Sequence, residues 1–121
     1  MISTKYMKDC LVFSIKKARR LDFYISDNLK KKIEKRTGYP VNNFIIDLKN
    51  IHFIDSHSFN VLLQIHKTLT GSGKKLHIIN VSEGAQELFE LTGLNKTLAI
   101  KIQESPSGEI ACIGEGSVYV L

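Results

Sequence analysis

Asp55, Ser56, His57 and Ser58 follow one another inside the stretch FIDSHSFN, residues 53–60. An acid, a hydroxyl and an imidazole are the side-chain types from which hydrolases build a nucleophile, its base and the group that orients the base. In that reading Ser56 or Ser58 attacks, His57 takes the proton and Asp55 steadies the imidazole. Convergence in space decides the matter, and neighbours at a helix start point about 100° apart. Adjacency along the chain therefore argues against a triad. The Gly-x-Ser-x-Gly elbow that would lift a serine above a sheet is missing as well. No catalytic residue is expected. What remains is the chemistry of a helix end: Asp55 or Ser56 can accept from the orphan N–H groups of a helix that begins here. A phosphate on a hydroxyl at the same end would be favoured by the helix dipole, yet it would set negative charge beside Asp55 and on any docking face.

Other stretches that carry chemical side chains are read as structure. GSGKK, residues 71–75, lacks the four-residue spacer of a phosphate loop, and it follows a helix and precedes a strand. A phosphate loop needs the reverse order, so this stretch reads as a helix-ending turn. The basic segments KKARR (16–20) and KKKIEKR (30–36) bring no aromatic platform and read as solvated surface, with no direct nucleic-acid contact expected. The four histidines lack metal spacing, and Cys10 and Cys112 lie far apart without a Cys-x-x-Cys pattern. No metal, cofactor or disulfide is expected, and both thiols read as reduced and buried.

The elements that must position the 53–60 stretch follow from periodicity. A chain of 121 residues with 43% hydrophobic content supplies one core, so a single domain spanning 1–121 is expected, with its body at about 10–102. The net charge of +5 is spread over many lysines and names no partner. No apolar run approaches the roughly 20 residues of a membrane span, and a cytoplasmic protein without membrane insertion is expected. CLVFSI (10–15) reads as a strand, and KKARRLDFYI as a turn with a second short strand. Ser26 is expected to cap a helix over 27–37 that buries Leu29 and Ile33 and stops at Gly38 and Pro40. NFIIDL reads as a central strand covered on both faces. A helix then runs from Ser56 or His57, with Val61, Leu62, Ile65 and Leu69 on one face. LHIINV is the next strand, Ser82 caps a helix carrying Ala85, Leu88, Phe89 and Thr92, Gly93 closes it, and LAIKI is a third strand. Strands alternating with helices over short connections predict an α/β sandwich with helices packed on the sheet. The last stretch, 103–121, reads as a hairpin around Pro-Ser-Gly and Gly-Glu-Gly turns.

With these elements in order, the sequence resembles the STAS family, of the anti-sigma factor antagonist type. That family's pattern is a strand ending in Asp-Leu, a spacer, and Asp-Ser-Ser/Ala-Gly-Leu-Gly opening a helix. A Gly-containing turn, a strand ending near Val-Ser-Pro, and a helix closing on Leu-Phe-x-Leu-Thr-Gly-Leu complete it. Here the pieces read IIDLKNIHFIDS, VLLQIHKTLTGSGKKLHIINVS and LFELTGLNKTL, in order from Ile45 to Leu98. RRLDFYISDNLKKKIEK is similar, more loosely, to the family's Arg-Leu-Asp and first helix, and the likeness ends after about Ile102. The resemblance implies a STAS-like, SpoIIAA-like mixed sheet with helices packed on it. It implies a non-enzymatic protein-binding module that docks through the loop Asp55, Ser56, His57, Ser58, Phe59 and Asn60 and the helix that follows. The implied partner is an anti-sigma factor with kinase-like architecture. The alternative is an accessory subunit of a membrane lipid or anion transport complex, and a third reading is a scaffold subunit of a signalling assembly. In the family the hydroxyl two residues past the aspartate is the one phosphorylated, and His57 stands at that position. Ser56 and Ser58 are the candidate substitutes, one residue to either side; Ser58 and Asn60 fall on the family's glycines and Phe59 on its leucine.

Overall fold

The computed structural model describes residues 1–102, 110–113 and 117–120. Its first two strands, β1 (Ile2–Met7) and β2 (Cys10–Ile15), form an antiparallel hairpin in which Met7 faces Cys10. There follow β3 (Arg20–Leu21), α1 (Phe23–Glu34), β4 (Asn43–Asp47), β5 (Phe53–Ile54), α2 (Ser56–Gly71), β6 (Lys75–Val81) and α3 (Glu83–Thr92). A 3-10 turn at Leu94–Lys96 leads to β7 (Ala99–Ile102). The main sheet has the order β1-β2-β4-β6-β7, with β2, β4, β6 and β7 mutually parallel. β3 and β5 make a separate two-stranded parallel ladder. This is the mixed α/β fold expected from the alternation of strands and helices.

Strand alternation divides the sheet into two faces. Leu11, Phe13 and Ile15 of β2, Phe44 and Ile46 of β4, and Leu76 and Ile78 of β6 point to the helical side. There they join Leu29 and Ile33 of α1, Leu62, Ile65 and Leu69 of α2, and Ala85 and Phe89 of α3 in one buried cluster. Cys10, Val12, Ile45 and Ile79 form a second buried cluster on the opposite face. Two further strands, β8 (Ile110–Ile113) and β9 (Ser117–Val120), pair antiparallel, and β9 lies against β6. The hairpin expected over 103–121 falls partly outside the described residues.

Three expectations need correction. The first helix begins at Phe23, ahead of the expected 27–37 span, because Asp22 is its cap: its carboxylate accepts from the Ile25 N–H at 2.9 Å. Ser26 lies buried inside the helix, donating its hydroxyl back to the Phe23 carbonyl at 3.2 Å. Aromatic and β-branched residues at 23–25 look like a strand locally, and only the reach of Asp22 turns them into a first helical turn. Second, β1 was not foreseen. It is an edge strand whose side chains are at most half-buried, so no apolar run marks it. Third, Cys10 is not a reduced thiol but disulfide-bonded. Spacing along the chain says nothing about which thiols a sheet brings together.

Two connections fix the frame. The hairpin turn holds Asp9 at φ 55°, and its carboxylate accepts from the Asn42 N–H at 3.0 Å, just before β4. After α2, Gly73 takes φ 74° and the Lys74 N–H donates to the Leu69 carbonyl at 2.8 Å, the closure by which a left-handed glycine satisfies the last carbonyls of a helix. GSGKK is thus the helix stop read from the sequence.

Candidate functional site at the start of the second helix

The parallel β3–β5 ladder pairs Arg20 with Phe53 and Leu21 with Ile54, so two chain segments arrive at the same level and each passes through an aspartate into a helix. Asp22 caps α1 and Asp55 caps α2. Asp55 does more than its counterpart. One carboxylate oxygen accepts from the Ser58 N–H at 2.8 Å, inside its own helix, and the other accepts from the Phe23 N–H of α1 at 3.1 Å. Its backbone N–H donates to the Leu21 carbonyl at 3.2 Å, which ties the cap to β3 as well. Burial pushes the Asp55 carboxyl pKa up, but the hydrogen bonds from Ser58 and Phe23 and the adjacent His57 outweigh it and hold the group below the usual carboxylate value.

The structure sorts the six loop residues into two sets. Ser56, His57 and Asn60 are exposed. Ser58 is fully buried, and its hydroxyl donates to the Leu21 carbonyl at 2.9 Å. Phe59 is also buried, meeting Phe89 of α3 edge to face with ring centroids 5.2 Å apart. Asp55 is half-buried with both oxygens engaged. Of the two candidate acceptors, Ser58 has its oxygen buried and donating to a carbonyl 37 residues away in sequence, while Ser56 is exposed.

The same geometry does not assemble the triad weighed at the outset. A triad needs the acid on the imidazole and the imidazole on the hydroxyl. Here the acid is spent on backbone N–H groups, the Ser58 hydroxyl on a carbonyl, and the His57 ring leans on Phe23 with centroids 4.7 Å apart. Among the described residues no group of three or more His, Cys, Asp or Glu side chains could hold a metal ion, and no helix is long and apolar enough to cross a membrane.

Sequence reasoning missed the aromatic residues around this helix start. Phe23 and Tyr24 are 57% and 68% exposed in the first turn of α1, and Phe53 is 43% exposed with the Arg20 guanidinium 4.3 Å from its ring centroid. The signal available was a run of aromatics directly after a capping aspartate, which places them in a first turn where solvent is near.

Comparison with known proteins agrees with this geometry. The model of the STAS domain matches residues 1–107. An anti-sigma-B factor antagonist from Staphylococcus aureus is 25% identical over 88 residues, covering 73% of this chain and 82% of that protein. Among solved structures, an anti-sigma-factor antagonist (STAS) domain protein from Planctomyces limnophilus superposes with a TM-score of 0.73 at 15% identity, covering 85% of this chain and 90% of the other. The anti-sigma factor antagonist SpoIIAA in its unphosphorylated form gives 0.69 at 17% identity over 83% and 87% of the two chains. Fold and family match point the same way, and the chain belongs to the STAS domain family.

Proposed function

We propose that this chain is a non-enzymatic binding module, an anti-sigma factor antagonist working in a partner-switching system, and that it docks through the exposed start of α2. The observation that supports the reading is the family match over residues 1–107 together with relatives named anti-sigma-B factor antagonist. The site fits a binding role, since Asp55 fixes the helix end rigidly while Ser56, His57 and Asn60 face outward. In this proposal the partner is an anti-sigma factor of kinase-like architecture, the whole chain acts as one cytoplasmic domain, and no cofactor takes part.

Phosphate control is altered in this chain. His57 fills the position of the usual acceptor, Ser58 is buried, and Ser56 is the one loop hydroxyl within reach of a kinase. Ser56 lies one residue away from the usual place and so points about 100° away from it. The switch is therefore lost or weakened. The test is a pull-down from a lysate of the source cell, with ATP present or absent, followed by mass spectrometry for a kinase-like anti-sigma factor and for phosphate on this chain. Capture of that protein, with Ser56 and Ser58 unmodified, is the expected result. Stoichiometric phosphate on either serine overturns the lost switch. Capture of transport subunits in its place, with no binding to the anti-sigma factor, moves the function to a transport accessory role.

A further inference from the structure

We propose that the end of the molecule where α1 and α2 begin is an aromatic dock with a basic rim on one side, and that it receives an acidic protein face carrying an apolar anchor. The inference deepens the binding role above and rests on it for the occupant's being a protein.

The anchors come from both segments of the β3–β5 ladder. Phe23 and Tyr24 open α1, Phe53 lies in β5, and His57 in α2 touches Phe23. Because the ladder is parallel and in register, the α1 and α2 starts stand side by side, and the Phe23 N–H reaches the Asp55 carboxylate. Large exposed aromatic side chains gathered at one place are unusual on a free surface and mark contact sites.

The rim is the connection from β2 together with the first residue of β3, where Lys16, Lys17, Arg19 and Arg20 are all exposed. The Arg19 carbonyl accepts from the N–H groups of His52 and Phe53 at 2.8 and 3.3 Å, which pins this basic loop beside the aromatic strip. Three carboxylates at this end are held by hydrogen bonds within the chain, while Glu83 at the start of α3 is exposed and Asp27, one turn into α1, is paired with Lys31. Asp22 accepts from Ile25, Asp55 from Ser58 and Phe23, and Asp47 from the Lys49 N–H and the Asn80 side-chain amide at 2.9 and 3.0 Å. The outward field of the rim is positive, and a partner with an acidic border complements it.

A protein fits better than a polyanion. Single-stranded nucleic acid needs open ring faces for stacking. Here one face of the Phe53 ring carries the Arg20 guanidinium and the tilted His57 ring leans on Phe23, so that Tyr24 alone of the three presents an open ring, too few for a stacking track. A membrane surface needs basic groups around the apolar strip, but here the bases lie to one side and two capping aspartates lie within the strip. An apolar centre with a charged border on one flank is the layout of a protein interface.

The test is a two-dimensional NMR titration of the whole chain at low salt with an acidic leucine-containing peptide, its lysine counterpart, oligo(dT) and phosphatidylglycerol vesicles. Expected are shifts at Arg20, Phe23, Tyr24, Phe53 and His57 with the acidic peptide alone, weakened about tenfold by Arg20→Glu and by Phe23→Ser. No shift at these residues overturns the proposal, as do equal shifts with the lysine peptide, oligo(dT) or vesicles. The same two variants are assayed against the anti-sigma factor. Normal binding by both variants overturns the dock and leaves the proposed function standing. A dock that takes the acidic peptide while the anti-sigma factor never binds keeps this inference and overturns that partner.

Discussion

At the start of α1, Asp22 accepts from Ile25 of its own helix. At the start of α2, Asp55 accepts from Ser58 of its own helix and also from Phe23 of the neighbouring one. Both segments are a two-residue strand, an aspartate and a helix, Arg20-Leu21-Asp22-Phe23 beside Phe53-Ile54-Asp55-Ser56. Local sequence makes each cap, while tertiary placement makes only one of them a joint. The helix starts also differ in what they show to solvent: aromatic rings on α1, a serine and an imidazole on α2. A rigid joint beneath an adaptable apolar and polar surface is what a docking site needs, since pre-organisation lowers the cost of binding.

Changes in the shared core should cut through both halves of this comparison alike. Leu29 of α1 and Leu62 of α2 are both fully buried, so Leu29→Ala and Leu62→Ala should each cost about 2–5 kcal/mol in urea denaturation. An unchanged midpoint for either would show that its helix packs differently from its twin. The caps should then separate the helices. Asp22→Ala should cost about 0.5–2 kcal/mol, the range for losing a cap. Asp55→Ala should cost more than Asp22→Ala, because it also strands the Phe23 N–H, and hydrogen exchange at Phe23 should speed up in the Asp55 variant. Equal losses and a slow Phe23 amide would end the idea of a joint.

Acid titration sharpens the same point. The Asp55 pKa is lowered in the folded state, so the unfolded chain binds this proton more readily. Its stabilising contribution is full above the ordinary carboxylate pKa and is lost as pH falls through the lower folded value. Asp55→Asn should flatten that acid limb of the stability profile relative to the wild type, and an unaltered limb would contradict the assignment. The smallest effect on stability belongs to the exposed residue. His57→Ser should stay within about 0.5 kcal/mol of the wild type by thermal melting. His57→Asp, which adds a charge beside Asp55, should weaken capture of the anti-sigma factor without unfolding the chain. Undiminished capture would move the interface away from α2.

The half of the chain from Phe44 to Ile102 was legible because its strands are apolar runs and its helices carry clean stripes, Val61-Leu62-Ile65-Leu69 among them. Asp55 as a cap was legible too, from its type and its place ahead of a helical period. The start of α1 was not, since Ser26 is as good a cap type as Asp22 and nothing local chooses between them. The two-residue strands β3 and β5 are too short to leave a pattern, yet they bring the two aspartates level. Burial of Ser58 depends on the Leu21 carbonyl across that ladder, and exposure of Phe23, Tyr24 and Phe53 depends on what fails to cover them. No window along the chain holds that information.

The Asp9 turn bears on a different question, how a mostly parallel sheet avoids misalignment. Parallel neighbours come from distant parts of the chain, and a slip of one residue would turn every core side chain of a strand outward. Residues 2–15 need no distant partner to close, and a hairpin of this kind forms in about 1–10 microseconds. Once closed, it presents the Asp9 carboxylate to the Asn42 N–H, and its backbone carbonyl to Asn43, at the mouth of β4. Cys10 then meets Asn43 and Leu11 meets Phe44, so one polar residue in a tight turn sets the phase of the first parallel pair, from which β6 and β7 take theirs.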